Sequence, residues 1–259
     1  MNRLTLGVAL VAAVLAQQSV AQESGREIME RSEQATKSRT EAAHYLLELL
    51  DSDGRLVQTR EMEFFFQRNQ GQERTLIKFK TPPVIAGTGL LIEDRNEAAN
   101  DIWLYLPATR KLRRIAGAEK SNWFMGTEFT HEDFEDYQIP RYAFERLPDA
   151  DCHSGACYVI SASASLPAEQ AASGYSKKVY WIDRKTLYPV VVDYFDRDGK
   201  HTKHLEATGL SPYESYWRPQ QIEMTNFVNG RKTRLTVQRR QVDASLDDYY
   251  VSKRYLRTD

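Results

Sequence analysis

Tyr45-Leu46-Leu47-Glu48-Leu49-Leu50-Asp51-Ser52-Asp53-Gly54, with the return stretch Met62-Glu63-Phe64-Phe65-Phe66-Gln67, decides the fold class. Tyr45, Leu47 and Leu49 alternate with Leu46, Glu48 and Leu50. A period of two places successive side chains on opposite faces, as a strand does and a helix does not. Asp51 to Gly54 is a turn, and on the return strand Met62, Phe64 and Phe66 share one face. Asn69-Gln70-Gly71 turns the chain again into Leu76-Ile77-Lys78-Phe79-Lys80. Consecutive hairpins of this kind form an antiparallel meander.

Downstream, Thr81-Pro82-Pro83-Val84-Ile85-Ala86-Gly87-Thr88-Gly89 breaks the ladder. Proline has no N–H to give a sheet, and glycine admits backbone angles closed to other residues. Strands resume at Leu90-Leu91-Ile92-Glu93 and at Asp101 to Leu106, where Trp103 and Tyr105 oppose Ile102, Leu104 and Leu106. After the turn Pro107 to Lys111 comes Leu112 to Ile115, and large groups on both faces predict that one face meets the sheet's concave side and the other a covering element. Residues 122–134, Asn122 to Phe134, mix large apolar groups and carboxylates without a period, and Thr130 with Asp133 fits the start of a short helical turn. Five further strands are expected at Lys177–Asp183, Pro189–Phe195, Lys203–Leu210, Pro219–Phe227 and Thr233–Arg239. Asp196-Arg197-Asp198-Gly199 and Asn229-Gly230 supply turns between them. Upstream, Glu23 to Glu41 reads as a helix with Ile28, Met29 and Ala35 on its apolar side.

The amino terminus reads as a secretion signal: Arg3, an apolar run from Leu4 to Ala16, and Ser19-Val20-Ala21 with small residues at the −3 and −1 positions of a cleavage site. Cleavage after Ala21 is expected to release a soluble exported protein, residues 22–259 forming one domain. The run is shorter than the roughly 20 residues of a spanning helix. A formal charge of −1, with both signs spread along the chain, excludes the basic footprint of a nucleic-acid binder. Cys152 and Cys157 are the two cysteines, and in an oxidising compartment they are expected to form a local disulfide worth about 2 kcal/mol.

The residues argue against an enzyme. His131 and Glu132 are adjacent rather than spaced as in a His-Glu-x-x-His zinc helix, and neither a nucleophile elbow nor a phosphate-cradling glycine loop is present. His201 and His204, three apart on a strand, are expected on opposite faces, and His153 with two cysteines is too few for a closed zinc site. No cofactor or metal is expected. The carboxylates of Glu132, Asp133, Glu135 and Asp136 read as a solvated cap or a charged docking surface.

An ordered set of motifs then becomes specific. Phe79-Lys80-Thr81-Pro82 precedes Gly87-Thr88-Gly89-Leu90-Leu91 and Asp101-Ile102-Trp103-Leu104-Tyr105-Leu106-Pro107. Next come Phe124-Met125-Gly126-Thr127-Glu128-Phe129, Glu132-Asp133-Phe134, Trp181-Ile182-Asp183, Tyr188-Pro189-Val190, Tyr216-Trp217-Arg218-Pro219 before Met224, and finally residues 247–256, Asp247 to Leu256. Together they resemble the outer-membrane lipoprotein-sorting (LolA-like) family of periplasmic proteins over nearly the whole chain after the signal. The resemblance implies a mainly β fold: one curved antiparallel sheet forming an incomplete, half-open β-barrel, covered by short helices and loops. It also implies an apolar cavity that shelters lipid or lipoprotein acyl chains.

Within the family the chain is closer to a subgroup similar to partners of resistance-nodulation-division membrane transporters, which would make it a monomeric transporter accessory in lipid traffic. The alternative is a periplasmic sensor that uses the same half-barrel to act through protein contacts. Phe64, Phe66, Trp103, Tyr105, Trp123, Phe124, Met125 and Trp181 are the candidate cavity residues; Phe64, Phe66, Trp103 and Tyr105 read as core first and as cavity lining only if the barrel is left unfilled. Gly87, Gly89 and Gly126 are the candidate loop hinges.

Overall fold

Ser24 opens the first element in the structure, a computed structural model that describes residues 22–94, 100–135 and 138–258. The expected signal over residues 1–21 and Asp136 of the acidic group lie outside the described residues. The Ser24 N–H donates to Glu27 Oε2 (2.7 Å) while the Glu27 N–H donates to Ser24 Oγ (3.3 Å), a reciprocal cap that fixes the start of α1, Gly25–Thr36. Ile28 and Met29 on its inner face are fully buried. The helix is shorter than the expected span of 23–41. Lys37 is already extended, and the first strand, β1 (Thr40–Leu50), pairs on both sides, so its ladder claims Thr40 and Glu41.

The first meander continues through β2 (Leu56–Asn69), β3 (Gln72–Thr81), β4 (Gly89–Glu93), β5 (Asp101–Leu106) and β6 (Lys111–Ile115). The second begins with β7 (Tyr142–Cys152) and β8 (Gly155–Ala164), followed by the short helix α2 (Pro167–Ala172). It goes on through β9 (Tyr175–Asp183), β10 (Pro189–Asp196) and β11 (His201–Thr208). A small two-stranded ribbon, β12 (Ser211–Tyr213) with β13 (Tyr216–Arg218), precedes β14 (Gln221–Asn226) and β15 (Lys232–Val242).

Thirteen of these strands form one sheet in the order β6-β5-β4-β3-β2-β1-β15-β14-β11-β10-β9-β8-β7, antiparallel at every pairing. The last strand closes on the first, Leu47 standing opposite Leu235, and joins the two meanders along the middle of the sheet. The sheet is not closed into a barrel, for β6 and β7 remain as edges. It nevertheless wraps, because Ile115 of β6 and Ile160 of β8, near opposite edges, belong to one apolar core with Leu47, Phe79, Tyr180 and Leu235.

The β7–β8 hairpin carries no strand period in the sequence, for Pro148 sits at a register shift between Leu147 and Ala150, and β7 is an edge strand with most residues exposed, so no clean alternation survives. The β12–β13 ribbon, three residues to a strand, is too short to show a period. The expected disulfide is present: Cys152 and Cys157 are bonded (S–S 2.02 Å) and tie this hairpin beside its turn.

The outer face carries a second, smaller core. Leu76, Leu91 and Tyr105 pack beneath Val251 and Leu256 of the carboxy-terminal strap, a 3₁₀ turn at Asp248–Val251 followed by α3 (Lys253–Leu256). Lys78, buried beneath the strap, donates to the carbonyls of Tyr255 (3.1 Å) and Thr258 (2.6 Å). β5 is therefore covered on both faces, as its two rows of large side chains predict. Among the described residues no helix is long and apolar enough to cross a membrane.

Candidate functional site

The chain from β6 at one edge of the sheet to β7 at the other, described over residues 116–135 and 138–141, packs Phe124, Phe129 and Ile139 against the open inner side. Local structure along this crossover is tight. The Phe124 N–H donates to the Phe129 carbonyl (2.8 Å), Trp123 bridges to Thr130, and the tip turns through two left-handed residues, Met125 (φ 52°) and Gly126 (φ 73°). The expected short helical turn is present as the 3₁₀ turn His131–Phe134, where the Thr130 N–H donates to Asp133 Oδ2 at 2.7 Å.

One flank of the crossover is aromatic. Phe124, 1% exposed, stacks on Phe79 (5.4 Å, 20°) and meets Phe134 edge-on (5.4 Å, 81°), while Phe129 stacks on Phe134 (5.4 Å, 27°). Arg60 covers the Phe79 ring at 5.4 Å and donates to the Met125 carbonyl at 2.8 Å. Offset and edge-on ring pairs add about 0.5–1.5 kcal/mol each to the apolar area they bury.

The other flank is charged and buried. Asp133 forms an ion pair with Lys203 and accepts from Tyr175 Oη (2.9 Å). The Lys203 ammonium lies 5.2 Å from the Trp123 ring and 4.9 Å from each of the Tyr175 and Tyr194 rings, a cage of π faces around a cation. Burial alone would raise the Asp133 carboxyl, but the ammonium groups of Lys203 and Lys178 and the Thr130 N–H hold it below the ordinary aspartate value. Glu132 accepts from Ser173 Oγ and the Gly174 N–H, both at 2.8 Å. Position 174 admits only glycine without rearrangement, since a Cβ there would stand 2.8 Å from Ser121 Cβ. Glu135 pairs with Lys120 (2.9 Å), and burial pushes its carboxyl up. Burial likewise pushes the His131 imidazole down.

The described carboxylates of the acidic group are therefore not the solvated cap expected of them. Lys203 on its strand neutralises Asp133, Lys120 on the crossover itself neutralises Glu135, and N–H and hydroxyl donors of the loop before β9 hold Glu132. The inward lysine at position 203 was the available signal, since it falls within an expected strand.

Two spaces adjoin this flank. A small polar cavity of ≈ 30 Å³ lies among Lys120, Glu132, Glu135 and Arg141, enough for one or two waters. An open cleft of ≈ 510 Å³ lies between the crossover and the second meander, walled by Trp123, Thr130, Tyr175, Lys203 and Val228, with Arg197 among its lining residues. That volume is in the range of small-molecule sites. Trp123 at 49% and Val228 at 66% are exposed around it.

With this geometry the chain is similar to solved structures over most of its length. An outer membrane lipoprotein-sorting protein domain from Vibrio parahaemolyticus superposes with a TM-score of 0.83 at 28% identity, covering 90% of this chain and 98% of that one. A family model described as that of an uncharacterized protein matches residues 71–258. The chain belongs to the LolA-like, outer-membrane lipoprotein-sorting family. A DUF1329 family protein from Desulfovibrio piger (TM-score 0.82, 23% identity, covering 90% and 97%) shares the LolA-like fold. So does a LolA superfamily protein from Nitrosomonas europaea (TM-score 0.70, 14% identity, covering 90% and 100%). No curated protein matches the sequence.

The candidate cavity residues divide between the two faces of the LolA-like sheet. Phe124 belongs to the inner core, with Phe64 and Met125 packed against it; Phe66 is buried on the same side of β2 as Phe64, and Trp123 borders the cleft. Trp103 and Tyr105 lie on the outer face under the strap, Trp103 donating to Glu93 Oε2 (3.0 Å) and covered by the Lys253 ammonium (3.8 Å). Trp181 alternates with the inward Tyr180 and Ile182 and so faces outward. Of the candidate hinges, Gly87 (φ 79°) and Gly126 occupy left-handed turns. Gly89 is a paired strand residue, where a Cβ would stand 2.4 Å from the Ile77 carbonyl oxygen.

The histidine parity expectation is overturned as well. His201 and His204 share the outer face, because an extra residue between them (Tyr194 pairs with Lys203, Phe195 with His201) restores their parity. Both approach Asp193 Oδ1, His204 Nδ1 at 2.6 Å and His201 Nε2 at 3.0 Å.

Proposed function

We propose that this protein is a periplasmic carrier that takes lipid or lipoprotein acyl chains into the cleft beneath the crossover and onto the inner face when the crossover swings aside. One observation carries the reading: the segment that closes the inner side from edge to edge rests on a buried ion pair next to an open, partly apolar cleft. Separating Lys203 from Asp133 returns both charges to water, and that hydration offsets much of the lost attraction. The inner face so exposed offers Leu47 and Leu235 to acyl chains, and each methylene buried there contributes roughly 0.8 kcal/mol. Likeness to the Vibrio lipoprotein-sorting domain supports this reading. A membrane transporter of the resistance-nodulation-division type is the proposed partner, and the secretion signal would deliver the chain to the compartment where both act.

The filled inner core favours a second reading, a sensor acting through protein contacts, because Phe124, Phe129 and α1 occupy the space where a preformed lipid cavity would lie. Native mass spectrometry with lipid extraction, on protein purified from a periplasm without detergent, separates the two. The carrier predicts a co-purifying acyl lipid that is lost on Trp123→Asp or Met125→Asp. Clean protein that also takes up no phospholipid in vitro overturns the carrier and leaves the sensor.

A further inference from the structure

On the outer face of the β10–β11 hairpin, across the sheet from the crossover, Asp193, His201 and His204 bring one donor atom each within 4.8 Å of the other two. Both imidazole nitrogens converge on the same oxygen, Asp193 Oδ1, at 2.6 and 3.0 Å. In a tetrahedral site with bonds of about 2.0–2.2 Å, neighbouring donors stand about 3.3 Å apart. Small side-chain rotations from the present positions therefore admit an ion. The geometry points to a divalent transition-metal site formed by Asp193 Oδ1, His201 Nε2 and His204 Nδ1, for which zinc is the fitting class of ion.

The donor set suits such an ion, because imidazole nitrogen with one carboxylate is a borderline combination that favours zinc and its neighbours over calcium or magnesium. Three protein donors leave a fourth position open for water or a ligand group. The Lys203 carbonyl, 3.0 Å from His201 Nε2, is a further oxygen beside them. An apolar collar holds the rings. Phe195 stacks on His201 (5.0 Å, 21°), and Phe227 meets His201 edge-on (4.9 Å, 85°) and lies 6.2 Å from His204. Ring contacts of this kind fix ligand orientation.

The other outward histidines have no such company. His153 lies between Glu206 (3.1 Å) and the Ala207 carbonyl (3.1 Å), and His44 faces Glu63 (3.7 Å), each without a second imidazole. The bulge that aligns His201 with His204 also sets Lys203 between them with its side chain on the inner face, so a bound ion would clamp the strand that presents Lys203 to Asp133.

Isothermal titration of the tag-free protein with zinc chloride tests the site. One ion per chain is expected, with affinity falling more than about 100-fold in His201→Gln and in His204→Gln and unchanged in His153→Gln. The visible spectrum of the cobalt(II)-loaded protein gives a readout of ligation itself, with d–d bands present in the parent and lost in His204→Gln, and near-ultraviolet circular dichroism confirms that each variant is folded. Absence of zinc binding, or binding that both histidine variants retain, overturns the proposal.

Discussion

Phe124 and Asp133 lie nine residues apart on the same crossover, both out of contact with solvent, yet they are held by opposite physics. Phe124 is fixed by rings, and moving it into water loses apolar burial at about 25 cal/mol per Å² with nothing returned. Asp133 is fixed by charge, and moving it into water returns the hydration that burial removed. The aromatic flank is thus the anchor and the charged flank the side able to open. That difference explains why the cleft lies beside Lys203 and Tyr175 rather than beside Phe79.

Removing the anchor gives the largest effect. Phe124→Ala is expected to lower unfolding stability by about 4 kcal/mol, the usual loss for a fully buried phenylalanine, measured as a shift in the urea midpoint at constant slope. A loss under about 1 kcal/mol would show that the ring stack is not what holds the crossover and would erase the contrast between the flanks.

The charged flank is next. Lys203→Met strands Asp133 in the interior and is expected to lose about 3 kcal/mol, whereas the double variant Lys203→Met/Asp133→Leu, which removes both charges, is expected to recover most of that loss. A double-mutant cycle in urea reads the coupling directly. If the double variant is as unstable as the single one, the pair is a structural strut and the opening side must be sought elsewhere.

A smaller, pH-dependent effect sharpens the same point. Asp133 has a folded pKa below its unfolded value, so its contribution is complete above the unfolded value of about 3.9 and is lost as pH falls through the folded one. Glu135 has the opposite sign. Its folded pKa is raised, so its buried charge opposes folding at neutral pH, and that opposition fades as pH falls through the raised value. Stability followed by thermal melts is therefore expected to change little on mild acidification, where relief at Glu135 is opposed by His131, whose folded pKa lies below its unfolded value, and then to fall below about pH 4. The late fall should be blunted in Lys203→Met/Asp133→Leu, and an unchanged profile there would assign the acid limb to other carboxylates.

How much of this was legible in the sequence follows from what fixes each part. Tyr45, Leu47 and Leu49 announce their strand because one face meets a core and the other meets water, and the first meander follows from that period. β7 stayed hidden because an edge strand with a proline and a bulge has no buried face to enforce alternation. Trp103 and Trp123 show why the site was harder to read than the fold. Both are large apolar residues beside a break in the pattern, but only the tertiary path of the strap decides that Trp103 is covered on the outer face, and only the path of the crossover leaves Trp123 at the cleft. His201 and His204 teach the same lesson, since one bulged residue reverses a parity argument that is correct for a regular strand.

Trp123 supplies the smallest stability effect and the sharpest test of the division between flanks. It is half-exposed, and its ring takes part in the Lys203 cage from the solvent side, so Trp123→Ala is expected to change unfolding stability by no more than about 0.5 kcal/mol. If the cleft is the entrance for acyl chains, the same variant should lose most uptake of a fluorescent fatty acid, measured by titration at fixed protein concentration. Phe124→Leu, which keeps apolar bulk in the anchor, should retain uptake. Stability and uptake would then separate residue by residue along one segment, the first tracking the aromatic flank and the second the charged one. Equal uptake by Trp123→Ala and the parent protein would mean that the cleft beside Lys203 is not where cargo enters, however readily that side opens.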